Sequence, residues 1–372
     1  MTTQTVELKQ PDVSLGARLQ SLHETIIERM PGIARIACAL YDPETDLLKT
    51  FINSTRDGVA INAYEFRLSD SASLSELKEQ NLSRVIDDIK ADIRPGTEHS
   101  DWLLEQNYRS SFTIPMRSGD QFYGFVFVDS SEKGYFSDLI QRDLLLFSTM
   151  LTLTISSELS AVHSLLATAQ AARDFADLRD FETGMHLNRM ARLSRLIARA
   201  IREEWQLSDE TIEHIYLFAP LHDIGKIGIP DRILLKPGRL DAEEHRLMQR
   251  HVELGVELLK KVLDDYKVAY LSDSKVMLNI IAYHHEFLDG SGYPNKLSGD
   301  EIPVEARIIT VADIFDALTS ERPYKHAWSI EDALNELDHM VTKGKLDMNC
   351  VQALRDNLPE VEEIVISLRD RF

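Results

Sequence analysis

Only two cysteines occur in the 372 residues, Cys38 and Cys350. They stand far apart and in no metal-binding spacing, which argues against a disulfide framework and for a reducing cytoplasm. The opening stretch MTTQTVELKQPD lacks the basic segment followed by an apolar one that defines a signal peptide, so none is expected. Long apolar runs are scarce too. The most apolar stretch, Leu144 to Ile155, is interrupted by Ser148, Thr149, Thr152 and Thr154, and falls short of the ~20 residues that a helical bilayer span takes. A soluble protein without a membrane partner is expected. Positive charge is in deficit: 41 Lys and Arg against 61 Asp and Glu leave a formal net charge of −20. A field of that sign repels nucleic-acid polymers and anionic membranes. A small anionic substrate would need a local cationic centre to override it.

The length exceeds one ordinary core, so two domains are expected, and the 44% hydrophobic and 27% charged residues are those of a globular chain. In the first half, residues 16–30 place Leu19, Leu22, Ile26 and Ile27 on one side of a helix. Two β-rich runs then flank the turn signal Asp42-Pro43-Glu44-Thr45. Further on, SSFTIPMRSGDQFYGFVFVDSS repeats the pattern, with a strand to Pro115, a turn around Ser118-Gly119-Asp120 and a strand from Phe122 to Val128. A helix, a meander of strands and a closing helix make a small α+β domain, and this arrangement resembles a GAF domain, which implies a sensory role.

Gly and Pro are absent from about 141 to 180, which reads as one long helix. Ile155, Leu159, Val162, Leu166 and Ala169 are spaced four, three, four and three apart, the a/d rhythm of a coiled-coil seam. Such a seam either packs against its own domain or forms a parallel homodimer helix linking sensor to effector, and the second is expected. Beyond 180 the strand signals largely vanish and helical periodicity takes over, with Asp241 as the N-cap of EEHRLMQRH. The second domain is expected to be an all-α bundle.

Histidines and carboxylates punctuate this half at the ends or faces of apolar helices. Glu182 and His186 stand four apart on one face, and His186 opens an apolar stripe with Met190, Leu193 and Ile197. His222-Asp223 follows IYLFAPL, where Pro220 should bend or restart the helix. His251 lies three residues after Met248 on the helix begun by Asp241. His284-His285 ends the apolar run VMLNIIAY, and Asp313 interrupts the nearly all-apolar ARIITVADIFDAL. Each taken singly has a plain reading as a core or surface residue. Together they are the nitrogen and oxygen donors of a divalent-metal site, converging from facing helices as in other bundles. His163, His214, His245, His326 and His339 lack such company and read as packing or surface residues.

HDIGKIGIPDRILLKPGRL, then Met248, His251 and Gly255 in M..H...G, then HHEFLDGSGYP and ARIITVADIFDALTSERPYK, resemble an HD-GYP domain over roughly residues 175–340. The resemblance implies a cyclic di-GMP phosphodiesterase on the His-Asp metal-hydrolase fold, cutting through pGpG to GMP. It makes His222, Asp223, His251, His284, His285 and Asp313 metal ligands, with Asp223 bridging. Glu182 and His186 match the extra pair of members that hold three metals. It implies two or three divalent ions, iron first and manganese second. Lys226, Arg322 and Lys325 become phosphate contacts, and Tyr293 either meets the substrate or supports a signalling-protein partner at the GYP loop. The organisation expected is a tail at 1–14, a GAF-like domain at 15–150, a linker helix at 151–178 and the phosphodiesterase domain at 179–372.

The chemistry asks for such residues. Two metals about 3.5–4 Å apart can neutralise a phosphodiester and stabilise the departing oxygen, and a bound metal lowers the pKa of water to about 7, so metal-activated hydroxide needs no protein base. Three divalent ions bring roughly +6 against roughly −3 from Glu182, Asp223 and Asp313, a positive pocket in an acidic protein. Two alternatives differ in outcome: a module that binds cyclic di-GMP without turnover, and a phosphodiesterase for another cyclic dinucleotide such as 3′,3′-cGAMP.

Overall fold

The run IARIACALYD forms strand β1 (Ile33–Asp42), and eight of its ten residues are buried. Successive side chains of a strand point to opposite faces, so a strand buried on both needs cover on both. In the computed structural model, which describes residues 14–175, 184–265, 274–321 and 326–369, that cover is present. Ile36, Cys38 and Leu40 pack with Leu19, Phe112, Val126, Leu144 and Ile155 on one side. Ala39 packs with Leu48, Leu68, Leu74 and Phe125 on the other.

Two compact units divide the chain, residues 1–159 and 160–372. The first holds a six-stranded antiparallel sheet. Strands β2 (Leu47–Thr55), β3 (Glu65–Arg67), β4 (Arg84–Ile86), β5 (Ser110–Ser118) and β6 (Gln121–Ser130) join β1 in the order β3-β2-β1-β6-β5-β4. Both hairpins lie where the turn signals put them, with Asp42 opposite Leu47 and Ser118 opposite Gln121. The connectivity is not the meander that the strand pattern implied, because β1 pairs with β6 at the centre. Strand propensity marks where a chain extends and not which neighbour it chooses. The first helix, Leu15–Ile27, starts at Ser14, whose side chain accepts from Ala17 N. Inside the sheet, Arg35 Nη1 donates to Asp129 Oδ2 at 2.7 Å, and Ser111 Oγ donates to Asp129 Oδ1 at 2.7 Å.

One helix, Asp138–Phe175, covers the described part of the Gly- and Pro-free stretch. Its segment Asp138–Ser164 is long and apolar enough to cross a membrane by length and composition. The stretch Leu144–Ile155 is too short by itself, but the apolar helix segment extends beyond both of its ends. Inside this helix Thr149 and Thr154 donate to the carbonyls of Leu145 and Met150. Leu144, Leu151 and Ile155 pack into the core beneath the sheet.

The second unit is helical, and among its described residues no strand forms. Its main helices are Gly184–Ala200, Asp209–Phe218, Ala242–Gln249, His251–Asp265, Ser274–Tyr283, Val304–Thr319, Ile330–Thr342, Met348–Asp356 and Leu358–Ser367. One core joins all of them except Ala242–Gln249, with Met190, Leu193, Ile197, Phe218, Ile280, Ile281, Ile308, Phe315 and Leu354 fully or nearly fully buried. Pro220 acts as expected: the helix ends at Phe218 and Ala219–Leu221 makes a tight turn. Asp241 is the N-cap, accepting from Glu243 N and Glu244 N, while Glu244 reaches back to Asp241 N. That helix stops at Gln249, however, and His251 opens a new one instead of riding on the first.

Candidate metal centre

The helix ends deliver the polar residues to one place in the second unit. One ligand atom from each of Asp223, His251, His284 and His285 lies within 4.8 Å of the others, and the same holds for His186, His222 and Asp313. Asp223 joins the two groups. Its Oδ1 lies 3.0 Å from His251 Nε2 and 3.7 Å from His284 Nε2, while its Oδ2 lies 3.2 Å from His222 Nε2 and 2.9 Å from Lys226 Nζ. The carboxylate therefore faces one group with each oxygen.

The rings are aimed by their other nitrogen. Nδ1 of His222 faces the Ala219 carbonyl at 2.9 Å, that of His251 the Met248 carbonyl at 2.8 Å, and that of His284 the carbonyls of Ile280 and Ile281 at 3.0 and 3.1 Å. A carbonyl can only accept, so Nδ1 carries the proton and Nε2 presents its lone pair toward Asp223. This is the outer-shell bonding that fixes a ligating imidazole. His186 is held otherwise: its Nδ1 donates to Asp316 Oδ2 at 2.7 Å.

Electrostatics fit the same use. Burial alone would raise the Asp223 carboxyl, but the Lys226 ammonium beside it holds it well below the ordinary carboxylate value. His284 and His285 are pushed below the ordinary histidine value, first by burial, and His285 also by the adjacent His284. Both stay neutral at pH 7, the form in which imidazole ligates. Anionic oxygen and neutral nitrogen in this number suit divalent first-row metals.

Close backbone approach makes the assembly possible. A Cβ on Gly225 would stand 1.9 Å from the His251 carbonyl oxygen and 2.4 Å from Gly255 N. Only glycine lets the turn after Asp223 lie against the helix that begins at His251. Gly292 serves the GYP loop likewise, since its Cβ would fall 2.5 Å from Glu286 Cα and 2.6 Å from the His285 carbonyl oxygen. Tyr293 N donates back to that carbonyl at 3.1 Å, and the Tyr293 ring stacks on His285.

Of the residues singled out in the sequence, His186, His222, Asp223, Lys226, His251, His284, His285, Tyr293 and Asp313 are brought together here. Glu182, Arg322 and Lys325 lie outside the described residues. His214, read as a packing or surface residue, is buried and stacked on Phe218. Three residues of the site carried no flag in the sequence. Asp316, fully buried, accepts from His186 and Arg189. Arg189 lies three residues after His186 on the same buried face. Glu286, directly after the histidine pair, is buried and accepts from Asn295 N at 2.7 Å and Leu297 N at 3.1 Å. The argument that a carboxylate in an apolar helix needs a cation applied to Asp316 as much as to half-buried Asp313, and would have found it.

Comparison with known proteins places this geometry. Residues 181–350 match the family model described as HD domain. The cyclic di-GMP phosphodiesterase response regulator RpfG of Xanthomonas campestris pv. campestris is 44% identical over 189 residues, covering 50% of this chain and 47% of that protein. The 3′3′-cGAMP-specific phosphodiesterase 2 of Vibrio cholerae is 41% identical, covering 52% of this chain and 35% of that one. A cyclic di-GMP phosphodiesterase of Thermotoga maritima is 43% identical, covering 46% and 43%. The chain thus spans less than half the length of these relatives. Among solved structures, the GAF domain of a phosphoenolpyruvate-protein phosphotransferase from Coxiella burnetii is 14% identical, covers 40% of this chain and 85% of that one, and has a TM-score of 0.33. The C-terminal helical region of this chain, over residues 181–350, carries an HD domain.

Proposed function

We propose that the chain is a metal-dependent phosphodiesterase that hydrolyses cyclic di-GMP through pGpG to GMP. The observation that carries the proposal is Asp223, which turns one oxygen to each of two ligand groups. Adjacent metals sharing a carboxylate are what in-line displacement at a phosphodiester calls for. Relatives named as cyclic di-GMP phosphodiesterases, 43% and 44% identical over this half, support the substrate.

Asp223, His251, His284 and His285 would hold one ion, and His186, His222 and Asp313 another, with Glu182 completing a third position by its match to the HD-GYP pattern. Iron is the first expectation and manganese the second, since a mixed nitrogen and oxygen set suits both. Bound there, divalent metals supply Lewis-acid polarisation of the phosphodiester and a nucleophile at neutral pH. The chain does the rest. Carbonyl-anchored Nδ1 protons keep His222, His251 and His284 in one tautomer. Lys226, half-buried and paired to Asp223, keeps its ammonium within reach of an entering phosphate oxygen, and Arg322 and Lys325 are assigned the outer phosphates. Tyr293, stacked on His285, gives a guanine base or a signalling-protein partner an aromatic surface at the GYP loop. The N-terminal unit serves as a GAF-like regulator, and the protein works in the cytoplasm.

The metal-loaded double variant His222→Ala/Asp223→Ala is expected to yield no linear dinucleotide. Unchanged turnover overturns the proposal. The alternative substrate, 3′,3′-cGAMP, is the one given in the name of one relative, and kcat/KM for the two dinucleotides decides between them. Tight binding without product, with iron kept reduced, would make the chain a receptor instead of an enzyme.

A homodimer forms along the long helix in this reading. Ile155 and Val162 are buried within this chain, so the seam is supplied by exposed Leu146, Met150 and Leu153, spaced four and three apart. Sedimentation as a monomer at micromolar concentration overturns that part.

A further inference from the structure

We infer that Asp316 and Arg189 are positioning residues for His186, and that they control the His186, His222, Asp313 group separately from the group around His251. This rests on reading both groups as metal sites. Asp316 is fully buried on the helix Val304–Thr319, three residues beyond Asp313. Its Oδ2 accepts from His186 Nδ1 at 2.7 Å, from Arg189 Nη2 at 3.2 Å and from Ser320 Oγ at 3.2 Å, and its Oδ1 accepts from Arg189 Nε at 2.5 Å. Arg189 Nη1 in turn donates to the Leu368 carbonyl at 2.6 Å.

The contrast with the other imidazoles gives this network its meaning. His222, His251 and His284 are aimed by carbonyls three or four residues back in their own chain segment. Such bonds form wherever the local turn forms. His186 is aimed by a carboxylate 130 residues away in sequence, and that carboxylate is fixed by an arginine tied to the C-terminal segment. A carboxylate behind a histidine fixes the ring and raises the basicity of the far nitrogen more than a neutral carbonyl does. With Nδ1 given to Asp316, Nε2 is the ligating nitrogen. Loss of the Asp316 charge therefore weakens one group and leaves the carbonyl-aimed group in place.

The test is Mn²⁺ titration of the full chain by calorimetry, with bound metal counted by elemental mass spectrometry. Wild type is expected to bind at least two equivalents. Asp316→Asn is expected to weaken one equivalent by roughly 10- to 100-fold, the usual effect of losing such a partner, with the other unchanged. Asp316→Glu should restore part of the loss. Equal affinities in wild type and Asp316→Asn overturn the positioning role while the metal reading stands. A wild type that takes up no Mn²⁺ overturns both. Should the variants fail to fold, selective ¹⁵N-histidine spectra of wild type answer the same question. In the metal-free chain His186 should be the Nδ1–H tautomer, and an Nε2–H tautomer overturns the inference.

Discussion

Tyr293 lies over His285 with ring centroids 4.7 Å apart and planes 27° from parallel. Burial, and then the charges of Asp223 and Asp313, push the phenol far above its ordinary pKa, so the ring stays neutral across the working pH range. Stacking of this kind contributes about 0.5–1.5 kcal/mol. Tyr293→Ala is therefore expected to weaken metal binding at the His285 group by roughly 2- to 13-fold, read by calorimetry. Tyr293→Phe keeps the ring and should keep the affinity. Equal losses in both variants would show that the hydroxyl, and not the stack, matters.

Glu286 holds the loop that carries Tyr293. Replacing it by Ala removes the acceptor of the Asn295 and Leu297 N–H groups, hydrogen bonds that contribute about 0.5–1.5 kcal/mol each. Glu286→Ala should lower the urea midpoint and raise KM for the dinucleotide. Glu286→Gln, which can still accept, should lose less. A stable variant with unaltered KM would break the link between this carboxylate and the loop.

At Gly225 the neighbours are backbone atoms of the helix starting at His251, so no side chain can swing away from an added methyl. Gly225→Ala is expected to cost about 1–3 kcal/mol or more, seen as earlier denaturant unfolding. It should also lower metal affinity, because His251 rides on the helix that must retreat. Wild-type stability in this variant would refute the close approach.

In the N-terminal unit, His99 stacks between Tyr64 and Trp102. Burial, reinforced by the charge of Arg35, lowers its pKa from 6.5 to about 4. Between those values the unfolded ring binds a proton that the folded ring refuses, so stability rises with pH through the window and is lost on acidification. His99→Phe retains an aromatic ring and cannot titrate. Its acid-unfolding profile, followed by near-UV circular dichroism, should shift to lower pH. An unshifted profile would mean that other groups set the acid limit.

How much of this was legible in the sequence varied with the range of the interaction. Hairpins, the Asp241 cap and the break at Pro220 depend on adjacent residues, and the sequence displays them. The polar residues that the second unit gathers were legible because each is an expensive polar group at the edge of an apolar run. The pairing of β1 with β6 was not, since strand pattern carries no partner address. Nor was the environment of Ile155 and Val162, because an a/d rhythm describes any amphipathic helix face and here that face lies in the core of this chain. Asp316 and Arg189 were missed because each was read on its own helix, as one charge among apolar neighbours. Only the fold reveals that they answer each other.

The carbonyl bonds of His222, His251 and His284 divide the labour of building the centre. Each ring inherits its bearing from its own few residues, so tertiary packing has only to bring a few backbone ends to the right separation. A substitution deep in the bundle that leaves those ends in place would pass unnoticed by the imidazoles. A subtle shift of one end would move a whole aimed ring as a rigid piece, and the centre would register it at once.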